Sequence, residues 1–436
     1  MDTVANLPLP WGFSDTGLSV RTALALGLTL LLSASAFRPP ASELFLQLLR
    51  PGGSELTYEQ GRHGERLLDA DPSYPAGPPA GATASRVGRD LYFRDWLAVT
   101  DDAGPLAGPD LDAGSCAACH SETGRNSHGV GPRVAVPVRA IDEARYGPQL
   151  STQHHRGEAP MAALRVSWEH SRFTYPDGAT RNLRRPRITA TMRDGQRIPA
   201  AWRAAPVLFG WGLMAQVPAR TLAVFDDPQD RDGNGISGRV AWREGRPATL
   251  GWKNTQATLP DQIAGALRKD MGIDGPGAPS PEISQTQLDA LVAYVARLGV
   301  PERRNSTDGQ RGEMLFGRAG CAACHVPAMI TARHREPGFS EQLIWPYSDL
   351  ALHDMGDNLA DPGDSPLARE WRTAPLWGLG LVEERLPARG FLHDGRARTL
   401  EEAILWHGGE AAPSRRRFAR LPVQGREALL RFVRSL

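Results

Sequence analysis

Five residues, Cys116-Ala117-Ala118-Cys119-His120, recur unchanged as Cys321-Ala322-Ala323-Cys324-His325, and the two runs hold all four cysteines of the 436-residue chain. In a C-x-x-C-H run both thiols can add to the two vinyl groups of a haem while the adjacent imidazole takes the iron. Each run then brings a large, flat, apolar group, and the chain must fold around two of them. Two other chemistries use the same residues. Four thiols with two imidazoles can hold a structural zinc, and each C-x-x-C can close as a redox disulfide. Because both copies consume every cysteine and keep the histidine in place, the pattern favours two covalently bound haem c groups. Cys116, Cys119, Cys321 and Cys324 are the attachment points, with His120 and His325 as proximal iron ligands.

A net charge of +1 excludes a nucleic-acid polyanion as partner. Of the 50 basic residues only Lys253 and Lys269 are lysines, a skew that reads as coding bias. With 46 Gly and 36 Pro, long irregular loops are expected between short helices. One apolar run, residues 22–36, ends in Ala34-Ser35-Ala36, an A-x-A cleavage pattern, and is short for a membrane span. It reads as a signal peptide cut after Ala36, with an uncleaved membrane anchor as the alternative. Asp2 and Asp15 stand where a basic segment is wanted; a start at Val20 would leave Arg21 beside the run. Export to the periplasm suits the motif, since c-type haem is attached outside the cytoplasm.

The chain is also duplicated. Trp202-Arg203-Ala204-Ala205-Pro206, Gly210-Trp211-Gly212-Leu213 and Pro218-Ala219-Arg220 return as Trp371-Arg372-Thr373-Ala374-Pro375, Gly378-Leu379-Gly380-Leu381 and Pro387-Ala388-Arg389. Ahead of the motifs, Gly88-Arg89-Asp90-Leu91-Tyr92-Phe93 and Gly309-Gln310-Arg311-Gly312-Glu313-Met314-Leu315-Phe316 both read as a short helix carrying a Gly and an apolar-aromatic pair. Leu288, Leu291, Val292, Val295 and Leu298 recur at helical spacing, as do Leu429, Phe432, Val433 and Leu436. Thr399 with Glu402 forms a capping box stopped by Gly408-Gly409, and Thr258-Leu259-Pro260-Asp261 opens a similar helix ending at Asp270-Met271-Gly272. The expected fold is mainly α: two cytochrome c-like haem domains with long irregular loops. Their bounds are 85–300 and 301–436, after a leader over 1–36 and an extension over 37–84.

Leu392-His393-Asp394-Gly395-Arg396-Ala397, the run from Thr399 to Ala411 and Gly251-Trp252-Lys253 resemble the di-haem oxidoreductase family, whose members are labelled peroxidase-like or thiol oxidoreductase-like. The family is similar to the bacterial di-haem cytochrome c peroxidases and to the enzyme that matures methylamine dehydrogenase. The resemblance covers roughly residues 85–436. In the peroxidases the helix after the H-x-G element carries the distal Met of the C-terminal haem, and the maturation enzyme places a Tyr there. Laid onto this chain, that position is His407, so the resemblance implies His/His coordination of the second iron. For the first iron the duplication offers Met271, with His128, His154 and His155 as rivals. Met or His at the sixth position makes an electron carrier, whereas a vacancy makes a site for a small molecule. The relatives react with peroxide at the N-terminal haem with help from a carboxylate and a Gln; neither is identifiable here, and no catalytic residue is assigned.

Secondary candidates follow. His393 is expected to pack over the second haem, and Arg372 and Arg203 to pair with haem propionates. Asp230, Asp232 and Asn234 occupy alternate positions of a calcium-loop pattern with Gly235 sixth, but Ala241 stands where the bidentate Glu belongs, and an ordinary turn explains the run as well. The function expected is an exported di-haem c-type cytochrome acting in electron transfer as an oxidoreductase. Its partners would be a small carrier protein of cytochrome or cupredoxin type and hydrogen peroxide or another small substrate. The alternative is a relay in which both irons are six-coordinate.

Overall fold

The computed structural model describes residues 162–436 apart from 302, 305–308, 364 and 388, the stretches 82–98 and 113–120, and short pieces between 57 and 154. Residues 22–36 and His128 lie outside the described residues, as does the side chain of His154. No helix among the described residues is long and apolar enough to cross a membrane.

The fold is mixed α/β, which corrects the expectation of a mainly α chain with cytochrome c-like domains. The principal departure is a long antiparallel hairpin, β1 (Ala162–Thr174) and β2 (Thr180–Met192), to which β3 (Arg197–Ala200) adds. Period-two alternation produces it: Ile188, Ala190 and Met192 point into a small core shared with Ile198, Ala200 and Trp202. The turn is Tyr175-Pro176-Asp177-Gly178, with Gly178 at φ 84°. Shorter antiparallel pairs include β4 (Leu352–Asp354) with β5 (Glu370–Arg372).

The helices that matter for the site are α1 (Ala82–Phe93), α2 (Cys116–His120), α3 (Trp211–Met214), α4 (Leu259–Met271), α5 (Gln285–Ala296), α6 (Gly309–Ala319), α7 (Leu379–Arg385), α8 (Leu400–Trp406), α9 (Ala412–Arg420) and α10 (Val423–Ser435). The duplication is visible in their packing. Helix α1 crosses α5 at Gly88, where a Cβ would collide with the Ala290 carbonyl, and α6 crosses α10 at Gly312, where it would collide with that of Ala428. Gly210 (φ 75°) and Gly378 (φ 69°) stand at the same turn before α3 and α7, and their amides bond Leu298 O and Leu436 O. Both copies share one continuous core, running from Leu91 and Tyr92 through Leu291 and Trp371 to Phe432 and Leu436.

Helices α4 and α8 start alike. Thr258 Oγ1 accepts from Asp261 N and Thr399 Oγ1 from Glu402 N. The expected Thr399–Glu402 box closes one residue early, with Glu402 accepting from Arg398 N instead. The hairpin tip then fastens α8 and α10 from outside: Tyr175 Oη donates to Glu401 Oε1 at 2.8 Å and Arg181 Nε to Glu401 Oε2 at 2.8 Å on α8, and Arg426 of α10 pairs with Asp177 at 2.5 Å.

Candidate haem sites

Two cavities flank the middle of the molecule, of about 230 and 120 Å3. The larger is lined by Cys321, Cys324, His325 and His407, the smaller by Cys116, Cys119, His120 and Met271. The two cysteine pairs therefore face different spaces, so no single zinc can gather four thiols. Burial pushes the thiols of Cys116 and Cys321 up to about 12 and raises that of Cys324. A reactive redox pair or a zinc thiolate needs the opposite shift. Cys324, Asp349 and His353 have ligand atoms within 4.8 Å of one another, a donor set a metal could use. His353 is already engaged at both nitrogens, by Asp349 at 2.8 Å and Glu410 at 2.9 Å. Burial opposes its charge, but Cys324 and Asp349 raise its proton affinity, so a metal here would compete with a proton and two carboxylates for the imidazole.

In the larger cavity the ring centroids of His325 and His407 lie 6.5 Å apart, with the planes tilted by 45°. His325 Nδ1 lies 2.9 Å from Tyr347 O, and His407 Nδ1 lies 2.7 Å from Ala403 O. A carbonyl only accepts, so both Nδ1 atoms carry the proton and both Nε2 atoms keep a lone pair. Burial, then His407, pushes His325 down to about 4, and burial lowers His407 as well, so both are neutral at pH 7. Two metal–nitrogen bonds of about 2 Å, plus the ring radius at each end, span about 6 Å. The observed centroid separation of 6.5 Å is close to that span.

The same cavity is lined by two guanidiniums, that of the buried Arg372 and that of the half-buried Arg389. Arg372 is 5% exposed and bonds backbone carbonyls, Gly251 O at 3.0 Å and Thr373 O at 3.4 Å. Arg389 gives Nε and Nη2 to Ala205 O. Neither has a carboxylate partner among the described residues, and burial alone pushes each down to about 10. Two cations beside the cavity, with no carboxylate partner among the described residues, match the two propionates of a haem. Arg372 was legible in W-R-x-A-P. Arg389 was passed over although it ends the duplicated P-A-R. Arg203 lines the smaller cavity and is neutralised by Asp361 at 2.6 Å. His393 is stacked on Trp371, centroids 3.5 Å apart and planes 6° apart, which is packing against the cavity wall.

In the smaller cavity His120 Nδ1 is 2.8 Å from Pro206 O, leaving Nε2 as the donor. Met271, 4% exposed, lies in its wall, as do Gln262, Ala266 and Asp270 from the same face of α4. In the exposed Asp230 loop Gly235 N bonds Asp230, and Asn234 N and Nδ2 bond Asp232. That is the bonding of a turn, and calcium there rests on the sequence pattern alone.

Residues 276–436 match the family model described as di-haem oxidoreductase, putative peroxidase. That stretch is similar to the di-haem oxidoreductase family. It contains the second C-A-A-C-H run, Arg372, Arg389, His393 and His407, so the match covers the whole chemistry of the larger cavity; the first run lies outside it. Di-haem oxidoreductases use haem, and the donors in both cavities suit that cofactor. Among curated proteins and solved structures none matches the chain.

Proposed function

We propose that the protein is an exported di-haem c-type oxidoreductase in which His325 and His407 hold a six-coordinate relay haem and His120 holds one open to substrate. One observation carries this division. Counted from the helix caps Thr399 and Thr258, His407 and Ala266 hold the same position, and each lines its own cavity. Leu400, Ala403 and Ile404 correspond in the same way to Leu259, Gln262 and Ile263. An imidazole closes the sixth site of one iron; a methyl group has no lone pair to offer the other. Covalently bound haem supplies one-electron transfer and the reduction of small oxidants.

The protein residues set the rest. Gln262 and Asp270 are the polar side chains that α4 turns into the smaller cavity, placed to hydrogen-bond a small polar substrate such as hydrogen peroxide. Peroxide reduction consumes two electrons and two protons per two waters formed, and a small cytochrome or cupredoxin is the proposed donor. Trp252 lines both cavities. Attachment at C-x-x-C-H supports a periplasmic location, with residues 22–36 as leader or anchor.

Met271, five residues beyond Ala266, supports a second reading in which it binds the first iron and the protein only relays electrons. Electron paramagnetic resonance of the oxidised and half-reduced protein separates the two. The substrate reading expects one high-spin signal, removed by Ala266→His together with peroxide turnover, while His407→Gly alters only the other haem. Two low-spin irons indifferent to peroxide and carbon monoxide would establish the relay and discard the enzyme.

A further inference from the structure

We infer that Lys253, assisted by Arg203, is an electrostatic guard that keeps Trp371 reduced while the haems process an oxidant; the inference rests on the function proposed above. Trp371 is a buried wall residue of the larger cavity, so its indole lies beside the site proposed for the relay haem. His393 covers one face at 3.5 Å. Lys253 Nζ stands 3.4 Å from the ring centroid, which places it on the opposite face, and the Arg203 guanidinium carbon is 4.7 Å away.

A cation over an indole face stabilises the neutral ring through its electron-rich π cloud. Removing an electron turns that attraction into repulsion between two positive charges inside a low-dielectric wall. Asp361 cancels one charge: it lies 3.3 Å from Lys253 Nζ and 2.6 Å from Arg203. Glu370 acts on Lys253 as a second anion, but the ammonium is the charge that stands over the ring itself. His393 adds none, because burial, with Arg396, Arg203 and Lys253 nearby, holds it neutral.

The choice of lysine points the same way. In a chain with only two lysines among 50 basic residues, Lys253 donates to Leu367 O at 2.7 Å, Ala368 O at 3.0 Å and Glu370 O at 2.7 Å. A compact ammonium fits this three-carbonyl cage, whereas the planar arginine fork does not. The duplicate of Trp371 is Trp202, which lines neither cavity and meets Trp168 edge-on. Trp211, Trp252 and Trp377 do line cavities, and among the described residues no cation is recorded over them. Trp96, Trp168 and Trp406 also carry an arginine over the ring but line neither cavity, so among the cavity-lining indoles the guard singles out Trp371.

The test treats haem-loaded protein, its haem content verified, with hydrogen peroxide in the absence of a donor, and maps oxidised tryptophan by peptide mass spectrometry. At an attacked indole one peroxide oxygen is inserted into a C–H bond and the other leaves as water. Wild-type protein should show little oxidation at Trp371. Lys253→Met should raise it at least tenfold with no matching rise at Trp252, which a merely structural role would not produce. If Lys253→Met does not fold, Arg203→Met should give a smaller rise at the same residue. Equal labelling of Trp371 and Trp252 in wild-type protein, or no change in the variants, overturns the guard. Should peroxide fail to react at all, the proposed function falls; azide radicals, which take one electron from indoles with dioxygen supplying the oxygen found afterwards, then test the guard without it.

Discussion

Replacing Arg372 by Met should have opposite effects on stability with and without haem in the larger cavity. Burial moves this guanidinium from an ordinary value of 12.5 to about 10. Each tenfold change in proton affinity corresponds to about 1.4 kcal/mol, so the unbalanced charge destabilises the haem-free fold by about 3 kcal/mol. Met fills similar volume and removes that penalty. It also removes a bond of 3.0 Å to Gly251 O and a weaker one to Thr373 O, together worth about 1–2 kcal/mol. The net expectation is a gain of about 1–2 kcal/mol in a chain carrying Cys321→Ser and Cys324→Ser, which cannot attach the second haem. With haem attached, a propionate pairs with Arg372 and the same substitution should cost about 3–5 kcal/mol, the usual effect of stranding one partner of a buried pair. Urea unfolding of the four proteins reads both values. A shift of the same sign in both backgrounds would refute the assignment of Arg372 to a bound carboxylate.

Other outcomes are equally concrete. Gly88→Ala and Gly312→Ala should each cost about 1–3 kcal/mol or more in thermal unfolding, because the added methyl meets a backbone carbonyl at a helix crossing. Lys253 is pushed down from 10.5 to about 8, chiefly by burial. The unfolded chain therefore keeps this proton to higher pH than the fold does, and stability should rise between pH 8 and 10.5 by up to about 3 kcal/mol. Below pH 8 both states are protonated and its contribution is constant; Lys253→Met should flatten the rise in a pH series of unfolding curves. Tyr175→Phe removes the bond to Glu401 and should destabilise by about 1 kcal/mol, with faster hydrogen exchange in α8. An unchanged exchange rate there would mean that the hairpin tip does not brace the helix carrying His407.

The local signals read well. The helices at both haem motifs, the caps Thr258 and Thr399 and the close-approach glycines all sit where pattern and duplication put them, because each depends on residues a few positions apart. The hairpin was lost for a physical reason. Arg165, Arg172, Arg181, Arg184, Arg185 and Arg187 crowd residues 162–192, and their charge hides the alternation of small apolar residues that makes the strands. Its partners, Glu401 and Arg426, are more than 200 positions away and leave no mark on the local pattern.

The repeated C-A-A-C-H, its histidines and the duplication around them were determined by the sequence alone, since covalent haem attachment needs only residues within one turn of chain. Tertiary structure decided what stands across from those histidines. It brought the His407 ring within 6.5 Å of that of His325, put Ala266 in the equivalent place in the other copy, and left Arg372 and Arg389 without acidic partners among the described residues. Each of these depends on burial and on charges brought together from distant positions, and a linear sequence records neither.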